Sequence, residues 1–208
     1  MFYLPALAVT GALLSLLFVL WIADRDGRTP VTTLLLAGVA VSAFIGAANG
    51  WIIAQSWAEW EVARRIAFWT MGGLTDRSWI HVGLIVPTTL AGGAVAWRYM
   101  TELDVMQEGD ESALALGVNV ERTRLHVLFG AALLTGGAVA VSGVVGFVGL
   151  VIPHLVRLVT GPRHRRLLPA CAITGAWFLI LADIVARAAV PPTELHLGVV
   201  TATAGAPF

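Results

Sequence analysis

Charged residues are scarce in this sequence, and lysine is absent. Charged side chains make up 12% of the 208 residues, whereas a typical soluble domain carries about 25%. Hydrophobic residues make up 58%, and the mean hydropathy is +0.83. So few charges cannot cover a folded surface with solvated groups. The composition therefore excludes an ordinary soluble domain and predicts a surface that faces lipid.

Other absences exclude further classes of protein. The basic residues, all arginine, form no patch interleaved with aromatic residues, so we predict no nucleic-acid partner. A single cysteine, Cys171, excludes an intrachain disulfide. The sequence has no GxxxxGK[ST] motif and therefore no P-loop for ATP. It also has no HExxH motif and no histidine pair at i, i+4, so we predict neither a metal site nor a cofactor.

Long apolar segments occupy most of the chain, and a membrane-spanning helix needs about 20 such residues. We predict an all-α, polytopic transmembrane bundle that forms one domain over residues 1–208. It has about six spans and the start of a further one. The predicted spans are residues 2–22, 31–55, 78–97, two helices within 125–156 that meet near 142–146, and 167–190. Residues 194–208 are too few to cross a bilayer and are expected to begin the further span.

Residues 143–161, GVVGFVGLVIPHLVRLVTG, combine glycines with a proline inside an apolar segment. We predict that Gly146 and Gly149 allow close approach of neighbouring backbones, and that Pro153 kinks the helix or lies in its first turn. His154 and Arg157 share one helical face at i, i+3. An ordinary glycine-packed hairpin whose arginine reaches the membrane interface would read the same way.

Residues 31–55 carry small side chains at four-residue spacing, at Gly38, Ser42, Gly46 and Gly50. This pattern predicts a flat helix face, suited either to tight helix packing or to the wall of a pathway. Asn49 is the one amide side chain within this span before Gln55, and we interpret it first as an interhelical hydrogen-bonding group.

Residues 98–124 form the one long polar stretch. Within it, ESALALGVNVERTR predicts a short helix over 112–116, a stop at Gly117 and a new helix that starts near Val120. Alternating spans place this stretch on the same side as 23–30 and 157–166. Together the three loops hold nine of the thirteen arginines, so we predict that they are cytoplasmic.

Several of these segments resemble one known family. GFVGLVIPHLVRLVTG and HRRLLPACAITGAWFLILADIVAR resemble the signature of the FecCD permeases, the membrane subunits of type II ABC importers for iron siderophores, haem and cobalamin. LLLAGVAVSAFIGA resembles the family's pathway-lining fifth helix, and FWTMGGL resembles the segment that follows it. The family fold has ten helices, so the chain is expected to match from near the fourth helix to the start of the tenth.

The resemblance implies roles for particular residues. It implies a cytoplasmic segment that couples to an ATP-binding subunit within 98–124, and Arg187 as a contact for an extracytoplasmic solute-binding protein. The implied coupling residues are Ala113, Leu116, Gly117 and Val118; the signature helix carries Gly146, Phe147, Gly149, Pro153, His154 and Arg157; the pathway candidates are Gly38, Ser42, Gly46 and Asn49.

The expected function follows from the same resemblance. It is a permease subunit, not itself an enzyme, that moves an iron complex (ferric siderophore or haem) across the cytoplasmic membrane as a homodimer, with cobalamin as the alternative cargo. A secondary transporter is the alternative from another class, with Asp183 as its single intramembrane acid. For Asp183 we predict an i, i+4 pair with Arg187.

Overall fold

The computed structural model describes residues 3–24, 30–55, 60–75, 77–189 and 195–206, and within these ranges it consists of helices and their connections. Pro191 and Pro192, which follow the predicted span 167–190, lie outside the described residues. Ten helices are described: α1 (Tyr3–Ala23), α2 (Val31–Gln55), α3 (Trp60–Met71), α4 (Trp79–Arg98), α5 (Met100–Met106), α6 (Asp110–Ala115), α7 (Val120–Ser142), α8 (Val148–Thr160), α9 (His164–Ala188) and α10 (Leu197–Gly205).

Five of these helices, α1, α2, α4, α7 and α9, are long and apolar enough to cross a membrane. They confirm the predicted transmembrane bundle. The helix predicted as the fifth span is shorter than expected: α8 has 13 residues, which at 1.5 Å per residue extend only about 20 Å. A hydrocarbon core is about 30 Å thick, so α8 does not cross it alone.

The centre of the bundle is α7, which packs against α1 on one side and α4 on another. Glycines make these contacts close. A Cβ added to Gly136 would meet Ala12 and Val9 of α1, and a Cβ added to Gly130 would meet Val95 of α4. The small-residue packing that is typical of membrane helices therefore lies on α7.

A second group of helices forms around α9, which packs against α8 and α10. Its buried centre consists of Ile152 and Val156 of α8 and Leu167 of α9, with Phe178 packed against them. Most other large apolar side chains of the spans are exposed, among them Leu36, Phe44 and Trp177. Such a surface suits contact with lipid or with other subunits.

The end of α3 joins both groups of helices through four glycines. Gly72 and Gly143 both have positive φ, at +67° and +69°, and a Cβ on either would collide with backbone of the other segment. The Gly73 N–H donates to the Ser142 carbonyl at 2.7 Å. Gly198 of α10 lies equally close to the Met71 backbone. The FWTMGGL segment is thus the point where α3, the α7–α8 turn and α10 meet.

Candidate functional site

The polar stretch between α4 and α7 folds into the two short helices α5 and α6. The predicted stop at Gly117 is present: Gly117 has φ +82°, its N–H donates to Leu114 O, and the Val118 N–H donates to Ala113 O, both at 3.0 Å. This pair of bonds is the Schellman arrangement that closes a helix at a glycine. The preceding helix runs over Asp110–Ala115, so it begins two residues before the predicted start.

The exposure of the predicted coupling residues divides them into two kinds. Ala113 is completely buried, so it packs α6 onto the protein and offers no contact surface. Leu116 is 71% exposed, and Leu114, which sequence reasoning did not select, is 60% exposed. A groove of about 620 Å³ lies beside them, lined by residues of α5, by Leu116–Asn119 and by the first turn of α7. In the sequence, the signal for Leu114 was that it is a large apolar residue, like Leu116, within a polar segment.

Ion pairs hold α6 against the first turns of α7. The Arg124 guanidinium, whose side chain is only 10% exposed, lies 2.7 Å from the Asp110 carboxylate at the start of α6 and 3.5 Å from that of Glu121. Asn119 caps α7 by accepting a hydrogen bond from the Arg122 N–H at 3.0 Å. The surface that carries Leu114 and Leu116 is therefore fixed in orientation.

A second set of contacts joins α5 to the start of α9. Oδ1 of Asp104 accepts a hydrogen bond from the His164 N–H at 2.8 Å and lies 2.6 Å from Nδ1 of the same histidine. Gln107 Nε2 donates to the Pro162 carbonyl at 3.3 Å. Partial burial acts to raise the pKa of Asp104, but the hydrogen bonds from His164 and the charges of His164 and Arg163 outweigh it, so the pKa is lowered.

The signature segment forms α8, with one departure from expectation. Of the two positions predicted for Pro153, the structure has the one inside the helix and not the one in its first turn. Gly146 and Gly149 have no neighbouring atom of the described residues within 4 Å of an added Cβ, so the predicted close approach at these glycines is wrong within this chain. His154 and Arg157 are both exposed, as their shared helical face predicts.

The close approach near the start of α8 occurs at another residue. Phe147 adopts a left-handed conformation, with φ +67°, just before the helix begins, a conformation that costs an ordinary residue roughly 1 kcal/mol. Its side chain lies directly against Gly205 of α10, where an added Cβ would collide with it. Gly205 was missed because a glycine near the chain end carries no local signal of what packs against it.

The small-residue face of α2 is open within this chain. An added Cβ at Gly38, Gly46 or Gly50 would meet no atom of the described residues within 4 Å, and Ser42 is exposed. Asn49 is half-buried. The helix packs instead through Ala37 and Val41, which are buried. Of the two interpretations left open by the sequence, packing within the chain is therefore excluded for this face among the described residues.

The predicted Asp183–Arg187 pair is present near the end of α9. Arg187 Nε lies 2.8 Å from Asp183 Oδ2, and the Arg187 side chain remains 46% exposed. Within the described residues, no group of three or more His, Cys, Asp or Glu side chains is placed to hold a metal ion.

Comparisons with known proteins agree with this architecture. The family model of the FecCD transport family matches residues 1–208. The chain is 44% identical over 201 residues to the cobalamin import system permease protein BtuC of Halobacterium salinarum, and 42% identical over 189 residues to the hemin transport system permease protein HmuU of Yersinia pestis. These matches cover 97% and 89% of this chain, and 53% and 55% of the relatives.

A solved structure gives the same result for the fold. It is described as an inward-facing conformation of a metal-chelate type ABC transporter, and it superimposes with a TM-score of 0.88 at 30% identity, covering 99% of this chain and 66% of the other. The chain thus spans about half the length of the two curated relatives above. The family model matches this chain from residue 1 to residue 208, and five helices are long and apolar enough to span a membrane. The chain is therefore a multi-pass protein of the cytoplasmic membrane that belongs to the FecCD transport family.

Proposed function

We propose that this chain is the part of an ABC importer permease that couples ATP hydrolysis to movement of a metal chelate across the cytoplasmic membrane. The observation that carries the proposal is the exposure of two leucines, Leu114 on α6 and Leu116 at its C-cap. Both lie in a stretch with six acidic residues between two membrane spans, a composition typical of a segment outside the bilayer. Full burial of one leucine side chain is worth about 1.5–3 kcal/mol, so this surface suits a protein partner.

The partner proposed for this surface is the ATP-binding subunit. The chain has no P-loop of its own, and the arginine distribution predicts a cytoplasmic position for α6. The groove beside Leu116 gives a partner side chain room to enter. The fixed attachment of α6 to α7 through Arg124 supports a role in transmitting force, because a loosely held helix would absorb it.

The pathway is proposed to lie along the open face of α2, at Gly38, Ser42, Gly46 and Asn49. Small residues with nothing packed on them leave space for a large cargo, and a second copy of the permease would supply the opposite wall. The signature helix α8 is proposed to stabilise the assembled permease through its packing on α9.

The cargo is proposed to be an iron complex, either a ferric siderophore or haem. Relatives named for hemin and for ferric dicitrate support it; the latter is the FecD permease of Escherichia coli, 37% identical over 205 residues and covered over 63% of its length. Cobalamin is the second candidate, favoured by the 44% identity to a cobalamin permease. All three candidate cargoes are large metal chelates, so a pathway wall of small side chains is compatible with each of them.

Asp183 does not favour the alternative of an ion-coupled secondary transporter. An intramembrane acid that binds and releases a coupling ion must be able to change its charge, whereas Asp183 is held by Arg187 at 2.8 Å.

Uptake measured with the permease, its ATP-binding subunit and its binding protein in proteoliposomes tests this proposal. Radiolabelled ferric siderophore, haem and cobalamin are offered separately, with and without internal ATP. We expect ATP-dependent uptake of an iron complex. ATP-dependent uptake of cobalamin alone would transfer the assignment to the second candidate. Uptake driven by a proton gradient in the absence of ATP would refute the importer assignment.

A further inference from the structure

The described helices pack in two groups, and α5 bridges them. The first group is α1, α2, α4 and α7; the second is α8, α9 and α10. At one end the groups meet through α3 and the α7–α8 turn. At the opposite end α5 contacts α4, α6 and α7 and also reaches α9 of the second group. The segment that carries the exposed leucines is thus attached to both groups.

One carboxylate makes two of the contacts that attach the α5 segment to the start of α9, beside those of Gln107. His164 is the first residue of α9, and the preceding residue, Arg163, supplies no side-chain capping bond. Asp104, 60 positions earlier, takes that place by accepting the His164 N–H. Capping acceptors and negative charge are both favourable at a helix N-terminus, where N–H groups lack partners within the helix.

The histidine side chain completes a two-point contact. Its Nδ1 lies 2.6 Å from the same Asp104 oxygen and 3.3 Å from Gln107 Nε2. The side chain of His164 is only 14% exposed and that of Asp104 31%, so the contact is largely shielded from water. By comparison, the Arg98–Glu102 pair joins the end of α4 to α5 and leaves Arg98 73% exposed.

We propose that Asp104 and His164 are positioning residues that lock the coupling segment to α9, so that displacement of α5 and α6 by the ATP-binding subunit moves the α8–α10 group relative to the α1–α2–α4–α7 group. This inference rests on the proposed function of α6. The α9 helix has 25 residues and extends about 37 Å, with Pro169 in its second turn, and in this proposal a shift at His164 passes along one continuous helix to the Asp183–Arg187 end. Without the contact between Asp104 and His164, α5 still moves with α4, to which Tyr99 joins it. The α8–α10 group then does not move with them.

The test measures ATP hydrolysed per cargo molecule transported in the assembled importer. Asp104→Leu removes the acceptor with little change in size, and we expect the ratio to rise about tenfold, since a hydrogen bond to a charged group is worth that factor or more. Asp104→Asn keeps an acceptor oxygen for the His164 N–H and is expected to remain within about twofold of the unaltered protein. Glu108→Gln is the matched control, because it removes an exposed carboxylate just after α5 and leaves the lock intact.

A reversible cross-link separates the lock from a folding defect. In a Cys171→Ser background, Asp104→Cys combined with His164→Cys replaces the hydrogen bonds by a disulfide. We expect coupled transport in the oxidised protein and uncoupled hydrolysis after reduction of the same sample. Coupled transport in the reduced protein, or an unchanged ratio in Asp104→Leu, would overturn the lock.

Leu116→Asp on the proposed contact surface shows which proposal has failed. If Leu116→Asp uncouples hydrolysis and Asp104→Leu does not, the lock is wrong and the coupling role of α6 stands. If Leu116→Asp also leaves the ratio unchanged, the proposed function of α6 is wrong. The proposed role of Asp104 and His164, which rests on that function, is then wrong as well.

Discussion

Arg187 lies one helical turn after Asp183, and its pairing with that carboxylate leaves part of the arginine side chain accessible. The guanidinium reaches Asp183 through Nε, and almost half of the side chain remains exposed. An exposed pair of this kind contributes about 0–1 kcal/mol to stability, so the pairing with Asp183 stabilises the permease only slightly. The remaining exposed surface is the part that a solute-binding protein would contact.

We predict that Arg187→Glu slows association of the binding protein several-fold, with the largest effect at low ionic strength. Electrostatic steering between exposed charges is long-range and screened by salt, which gives this dependence. Surface plasmon resonance at a series of salt concentrations measures it. Asp183→Asn is the matched variant, since it removes the internal pair and leaves the arginine. Unchanged association for Arg187→Glu, together with equal losses of thermal stability in both variants, would assign Arg187 to the internal pair alone.

At the scale of a single element, the end of α6 has two adjacent residues that test backbone conformation and surface contact separately. Gly117 ends it with φ +82°, and no atom lies within 4 Å of an added Cβ, so a substitution there alters only backbone strain. Leu116 next to it is exposed, so a substitution there alters only the surface. The two effects can be tested separately and in combination.

We predict that Leu116→Asp combined with Gly117→Val uncouples ATP hydrolysis from transport while docking of the binding protein is unchanged. The aspartate removes apolar contact area, and the valine disfavours the left-handed cap by about 1–2 kcal/mol. The control is Ser112→Asp, which adds the same charge to α6 at an exposed polar position. Normal coupled transport in the double variant would show that α6 is not the contact with the ATP-binding subunit.

At the scale of the whole molecule, glycine is used in two different ways. Gly130, Gly136 and Gly137 of α7 are packed against α1 and α4 and hold the first group of helices together. Gly38 and Gly46 of α2 have no atom of the described residues within 4 Å of an added Cβ. An open small-residue face on the outside of one chain is a surface for something beyond that chain, which is why we assign it to the pathway between two copies.

We predict that Ser42→Cys, in a Cys171→Ser background, reacts with a hydrophilic thiol reagent in the assembled importer and is protected when cargo is trapped inside. A residue that lines an aqueous pathway is accessible to water, whereas a lipid-facing residue is not. Phe44→Cys is the control, because it lies on the opposite side of α2 and is 74% exposed. Equal, slow labelling at both positions would place the α2 face in lipid.

The sequence by itself determined five of the spans, the polar stretch and the stop of α6, because each depends on local chemistry. The predicted fifth span, α8, is too short to cross. Apolar length predicts where a helix can cross a membrane. Gly117 ends α6 because glycine alone adopts positive φ without strain, whatever surrounds it. The Asp183–Arg187 pair follows equally from i, i+4 spacing on one helix.

Only the tertiary structure decided which glycines pack, which leucines are exposed and where Asp104 points. Gly136 and Gly146 look alike in the sequence, yet only Gly136 has another helix against it, since close approach depends on which helices are neighbours. The contact of Asp104 with His164 joins residues 60 positions apart. No periodicity or spacing indicates such a contact, because it arises only when α5 is laid across the start of α9.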